Sequence, residues 1–119
     1  NDAKETYVNV NKIRFSRAII NALDNSYNAL KDKDDRIFIY IGLKEDKVYI
    51  EVKDNGIGIR EEVLEEVVKR GYSKRESTGL GLSFIEDIVT NHGGKMHLES
   101  KYKIGTRLKI FLPRVNVNE

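Results

Sequence analysis

The sequence predicts a two-layer α/β sandwich, with about three helices on one face of a mixed, mostly antiparallel sheet of five strands. Three observations carry this. Two pairs of strand patterns, RIFIYIGL with KVYIEVKD and KMHLES with TRLKIFLP, are each joined by a short polar link and read as hairpins. Three helical patterns alternate with those hairpins rather than with single strands, which favours an antiparallel sheet over a parallel one. The single proline, Pro113, lies near the end and leaves the interior free for regular structure.

The elements follow in order. Thr6–Val10 alternates and is expected to be a short edge strand. In RFSRAIINALDNSYNAL, apolar residues at Phe15, Ala18, Ile19, Ala22, Leu23 and Leu30 follow the i, i+3, i+4 spacing of a helix with one buried face. KDKDD is a charged loop. The first hairpin is rich in Val, Ile, Tyr and Phe, which suit a pleated, half-buried surface. Glu61 to Arg70 is a short helix. GYSKREST is polar and without period, as in a loop. GLGLSFIEDIVTNH opens a helix on glycines and ends it at Gly93–Gly94. The last hairpin turns across KYKIG.

The totals set limits. A chain of 119 residues suits one domain with one core. It begins at Asn1 rather than Met, so the expectation is a piece of a longer protein. A net charge of +2, with both signs interspersed, gives no argument for nucleic acid or direct membrane contact. No cysteine is present, which excludes disulfides and thiolate metal sites. No apolar run approaches the roughly 18 residues of a membrane helix. A cytoplasmic domain is expected, compatible with a parent chain anchored in the cell membrane.

Three segments are candidates for chemistry. On the first helix, at ~100° per residue, Asn21, Asn25 and Asn28 fall within about 60° of one another, away from the apolar stripe. Asparagine is a poor helix former, so three on one stripe invite a reason. An amide oxygen can complete a Mg²⁺ shell that already holds phosphate and water; a solvated polar face is the other reading. Asp54 ends a strand, and Gly56 and Gly58 follow. A carboxylate only accepts hydrogen bonds, so it suits the exocyclic amine of adenine and opposes the carbonyl of guanine. An ordinary D-N-G turn is the alternative. In TGLGLSF, Gly79 and Gly81 stand where a helix begins, and free amides and the dipole there favour an anion. A glycine N-cap with a tight packing contact explains the same residues.

The order of these segments is more specific than any one of them. NALDNSYNA, DNGIGI, GLGLSFIEDIVTNHGG and GTRLKIFLP together resemble the N box, two glycine boxes and closing element of the ATP-binding catalytic domain of sensor histidine kinases. That superfamily is shared with gyrase, a heat-shock chaperone and a mismatch-repair ATPase. The resemblance runs from about Val8 to Pro113 and implies a Bergerat-type ATP-binding fold. The RGYSKR lid segment is similar to that of citrate-sensor and quorum-sensor kinases. By resemblance Asn25 holds Mg²⁺, Asn21 is the polar residue one turn earlier, and Asn28 lies on the same nucleotide-facing stripe. Asp54 binds adenine. Gly56 and Gly58, with Ile59 after them, pass beneath the base. Gly79, Leu80, Gly81 and Leu82 cradle the phosphates through main-chain amides. Thr106 helps, with a water, to hold the aspartate and the base. Tyr72, Ser73, Lys74 and Arg75 belong to the lid. The last two are the cations available to the terminal phosphate, or are solvated. Ala22 stands where leucine is usual and Ser26 where alanine is usual; both fit a packed helix.

The implied cofactors are ATP and Mg²⁺. Relatives that hydrolyse ATP carry a glutamate where this chain has Asn21, and an amide cannot take a proton from water at neutral pH. The expected reaction is therefore phosphoryl transfer to a histidine on a separate helical dimerisation domain, with a response regulator downstream. His92, at a helix end, and His97, in a strand, lie in no acceptor pattern. Two rivals remain open: an anti-sigma-type protein serine kinase, and a nucleotide-binding module without transfer.

Overall fold

A computed structural model describes residues 11–32, 34–70 and 81–114. Its elements are α1 (Lys12–Ala29), β1 (Ile37–Lys44), β2 (Lys47–Asp54), α2 (Glu61–Arg70), α3 (Leu82–Asn91), β3 (Lys95–Lys101) and β4 (Gly105–Pro113). The four strands form one sheet in the order β1-β2-β4-β3, and each neighbouring pair is antiparallel. The fifth strand expected at Thr6–Val10 lies outside the described residues, so the sheet described has four strands.

Each hairpin is set locally. Glu45 and Asp46 connect β1 to β2, both at positive φ (51° and 65°). A two-residue connection of this kind matches the twist of the strands it joins. Arg114 holds the turn from the side through Asp46 at 2.7 Å. On β2, Val48, Ile50, Val52 and Asp54 alternate onto the inner face and are all buried. Leu108, Ile110 and Leu112 of β4 and Met96 and Leu98 of β3 continue that face.

α1 and α3 cover it. The side chain of Asn11 caps α1 by accepting from the Arg14 N–H at 3.0 Å. Ala18, Ala22 and Ser26, one turn apart, are the residues α1 buries. Their small size lets the helix lie close to the strands. α3 buries Leu82, Ile85, Ile88 and Val89. Burial of each such aliphatic side chain is worth about 1.5–3 kcal/mol. α2 packs Val63 and Leu64 against the edge of this core. Among the described residues no helix is long and apolar enough to cross a membrane.

The outer face of the sheet has a smaller cluster. Tyr49 is 1% exposed although it points away from the helices. Tyr40, Phe111 and the Lys44 ammonium cover its ring, and its hydroxyl donates to Glu51. Burial, then the Glu51 carboxylate, push the Tyr49 hydroxyl well above the usual tyrosine range.

His92 ties the end of α3 to the start of α1. Its Nε2 accepts from the Asn11 N–H at 2.8 Å, and its Nδ1 lies 2.6 Å from the Ile88 carbonyl. Both contacts are satisfied only by a neutral ring with its proton on Nδ1. Phe15 meets the ring edge-on at 5.7 Å. Replacing His92 by alanine leaves the Asn11 N–H short of its partner, takes one of two donors from the Ile88 carbonyl and removes that ring contact. His92→Ala is expected to lower unfolding stability by about 1–3 kcal/mol, read by urea denaturation.

Candidate functional site

The cleft lies between α1, the ends of β2 and β4, the loop after β2 and the start of α3. Its volume is about 190 Å³. Ala22, Val52, Ile57, Leu82, Leu98 and Leu108 make apolar walls, among which stand Asn25, Ser26, Asn28, Asp54 and Thr106. A mostly apolar pocket with a few convergent polar groups suits a flat heteroaromatic ring.

Asp54 is the cleft's buried charge. It is 3% exposed, because β2 ends just as its inner face reaches the cleft. The Gly56 N–H donates to one carboxylate oxygen at 2.9 Å. On neighbouring β4, Thr106 stands directly opposite in the register. A buried carboxylate with one bond made retains capacity to accept more.

The glycine loop is pressed between two parts of the protein's own main chain. A Cβ on Gly56 would run into the Ala29 carbonyl at the end of α1. The following Ile57 N–H donates to that carbonyl at 2.8 Å. Gly58 has φ +71°, and a Cβ there would run into the Lys101 carbonyl of β3. Gly58 and Ile59 line the cleft; Gly56 is buried behind it. Gly56 is required by the approach of the loop to α1, a contact that the local sequence does not reveal.

Ser100, which the sequence reading passed over, holds the far side. Its hydroxyl accepts from the Ile59 N–H at 2.8 Å, donates to the Gly105 carbonyl at 3.0 Å, and lies 2.7 Å from Thr106 Oγ1. A serine has one proton. The assignment that satisfies every group gives it to Gly105, so Thr106 donates to Ser100. The remaining lone pairs of Thr106 are then free to accept. The signal in the sequence was a polar residue at an inward position of KMHLES, and only strand register makes it legible.

The asparagine stripe is brought to the same place. Asn25 and Asn28 line the cleft. Asn21 sits against Gly81: a Cβ at Gly81 would lie 2.8 Å from the Asn21 Nδ2. Gly81 caps α3 in the left-handed conformation, φ 63°, with no side-chain capping bond. Gly81 has no side chain to cap the first-turn amides of α3, and its Leu82 forms part of the cleft wall. Tyr72, Ser73, Lys74, Arg75, Gly79 and Leu80 lie outside the described residues. His97 is exposed on β3, beside Phe111 on the outer face and away from the cleft.

Comparison with known proteins places this geometry. The family described as histidine kinase-, DNA gyrase B-, and HSP90-like ATPase matches residues 10–116. A probable C4-dicarboxylate sensor kinase of Halalkalibacterium halodurans is 40% identical over 99 residues, covering 79% of this chain and 19% of that protein. Sporulation kinase D of Bacillus subtilis is 34% identical over 107 residues, covering 89% of this chain and 21% of that protein. The chain thus spans about a fifth of the length of these relatives. Among solved structures, the catalytic domain of histidine kinase ThkA in a nucleotide-free form is 28% identical, with a TM-score of 0.72 over 90% of this chain and 69% of that one.

Removing the Ser100 hydroxyl strands the Ile59 N–H and takes one donor from the Gly105 carbonyl. Ser100→Ala is expected to cost about 1–3 kcal/mol in chemical denaturation. An unchanged midpoint would mean that the loop is held by its glycine contacts alone.

Proposed function

Because the chain belongs to the histidine kinase-, DNA gyrase B-, and HSP90-like ATPase family, we propose that it is the ATP-binding catalytic domain of a sensor histidine kinase in two-component signalling. In this reading it binds Mg-ATP and donates the terminal phosphoryl group to a histidine on a separate helical domain. The observation that carries this is the buried Asp54 at the end of a cleft whose other wall presents Asn25 and the uncapped start of α3.

Asp54 accepts a hydrogen bond from the exocyclic amine of adenine, and the apolar walls enclose the ring. Guanine would set a carbonyl against the same carboxylate. Thr106, with its proton committed to Ser100, offers a second acceptor there, suited to a bridging water. The triphosphate runs toward α3, where the free amides and the helix dipole favour negative charge. Gly79, Leu80 and Gly81 are assigned to that cradle, and Tyr72, Ser73, Lys74 and Arg75 to a lid over the nucleotide.

The donor set suits magnesium. Among the described residues there is no group of three His, Cys, Asp or Glu side chains that could cage a metal. An ion beside Asn25 would depend on phosphate oxygens and water for most of its shell, as Mg²⁺ does. When bound, it neutralises charge on the phosphates. Asn25 would hold it through the amide oxygen, and Asn21 fixes the approach of α1 to Gly81.

In the transfer, the bond between the terminal phosphorus and its bridging oxygen breaks and ADP leaves. A bond forms from an imidazole nitrogen to that phosphorus, and the imidazole proton passes to solvent. The domain's contribution is positioning and electrostatic stabilisation. With both ring nitrogens of His92 bonded inside the domain and His97 on the opposite face, the acceptor is assigned to another domain. That domain also makes the parent kinase a dimer, and a response regulator takes the phosphoryl group onward.

Calorimetric titration tests the pocket. Asp54→Asn turns an acceptor into a group that also donates, and is expected to weaken ATP binding by about tenfold or more while the fold survives. Unchanged affinity would remove the adenine pocket. Mixing the chain with a cognate histidine-bearing helical domain and labelled ATP tests the transfer. Acid-labile label on histidine is expected, whereas label on serine, or binding with no transfer, would overturn the kinase assignment.

A further inference from the structure

Ser26 is 5% exposed, lies one helical turn after Ala22 on α1, and is on the wall with Asp54 and Thr106. Among the described residues its hydroxyl makes no hydrogen bond. It does not even bond back to the preceding turn, as Thr90 does to the Glu86 carbonyl at 2.9 Å. A buried hydroxyl left without a partner is unfavourable, and it stands where a ligand would supply one.

The polarity of the neighbours gives the missing partner its character. The Asp54 carboxylate only accepts. Thr106 has its proton directed to Ser100. A wall of acceptors satisfies the amine of adenine but leaves bare the ring nitrogens beside it, which themselves accept. The Ser26 O–H is a donor on that wall. The two ring nitrogens on either side of the amine group are N1, bonded to the amine-bearing carbon, and N7, one ring atom further on. Thr106 approaches from the sheet, beside Asp54 on the next strand. Ser26 approaches from α1, the helix that also presents Asn25 and Asn28. In the ordinary anti form of a nucleotide, the imidazole edge that carries N7 lies on the phosphate side of the base.

Resting on the proposed adenine pocket, we propose that Ser26 is a specificity-determining residue, donating its hydroxyl proton to N7 of the base directly or through one water. Asp54 and Ser26 then read adjacent positions with opposite polarity, one accepting from the amine and one donating to the ring. A purine must match both to enter without leaving a buried group unpaired.

ATP and 7-deaza-ATP, which carries a C–H in place of N7, separate the possibilities. Both are titrated by calorimetry into the wild-type chain and into Ser26→Ala, with unfolding midpoints measured alongside. The wild type is expected to bind 7-deaza-ATP about three- to tenfold more weakly than ATP. Ser26→Ala is expected to bind ATP more weakly by a similar factor and to bind both nucleotides alike, so that the two losses do not add. The wild-type comparison needs no mutation and stands whatever the variant does to folding. Equal binding of the two nucleotides by the wild type, or undiminished ATP binding by Ser26→Ala, overturns the proposal. Asp54→Asn separates this from failure of the pocket itself. Loss of ATP binding there with no effect at Ser26 sinks only the serine, and unchanged binding in both sinks the adenine pocket.

Discussion

The site depends on a carboxylate kept out of water. Asp54 is 3% exposed at the end of β2, and an ionised group in that position is costly unless its oxygens find donors. The Gly56 N–H supplies one at 2.9 Å. That amide can be there only if the chain turns back sharply after the strand. The turn in turn requires Gly56 to pass under the Ala29 carbonyl without a side chain. Strand, turn and helix end are thus constrained together by the solvation of one group.

The same constraint extends to the far side of the loop. Gly58 lies against the Lys101 carbonyl, and Ile59 donates to Ser100. The loop is therefore fastened at α1 on one side and at the β3–β4 hairpin on the other. Ser100 also directs the proton of Thr106, so the polarity that the cleft shows a ligand is set one residue behind its wall. A site arranged this way is organised before anything binds, because its supporting groups are held by regular elements rather than by the ligand.

The helices do a second job. α1 buries small residues toward the sheet and turns its asparagines toward the cleft. α3 begins at Gly81 without a side-chain cap, directly against Asn21. His92 then fixes the far end of α3 to the start of α1. The uncapped amides of α3 and the amides of α1 keep a constant relation, which a triphosphate with its metal would need.

Much of this was legible in the sequence, and the reason is local. Apolar spacing in RFSRAIINALDNSYNAL, alternation in KVYIEVKD and the glycines before SFIEDIVTNH report backbone geometry over a few residues. The helices and hairpins accordingly stand where those patterns predict them. The order of the candidate segments was legible too, since the asparagine stripe, the acid before two glycines and the glycines that open a helix follow one another along the chain. The strand expected at Thr6–Val10 and the lid cations Lys74 and Arg75 fall outside the described residues. By itself the sequence determined the elements, their buried faces and the residue types available for chemistry. Only the tertiary structure decided which groups meet. Ser100 reaches Ile59 across 41 residues and His92 reaches Asn11 across 81. Hydrogen bonds between distant segments depend on strand register and helix docking, which no short window of sequence contains.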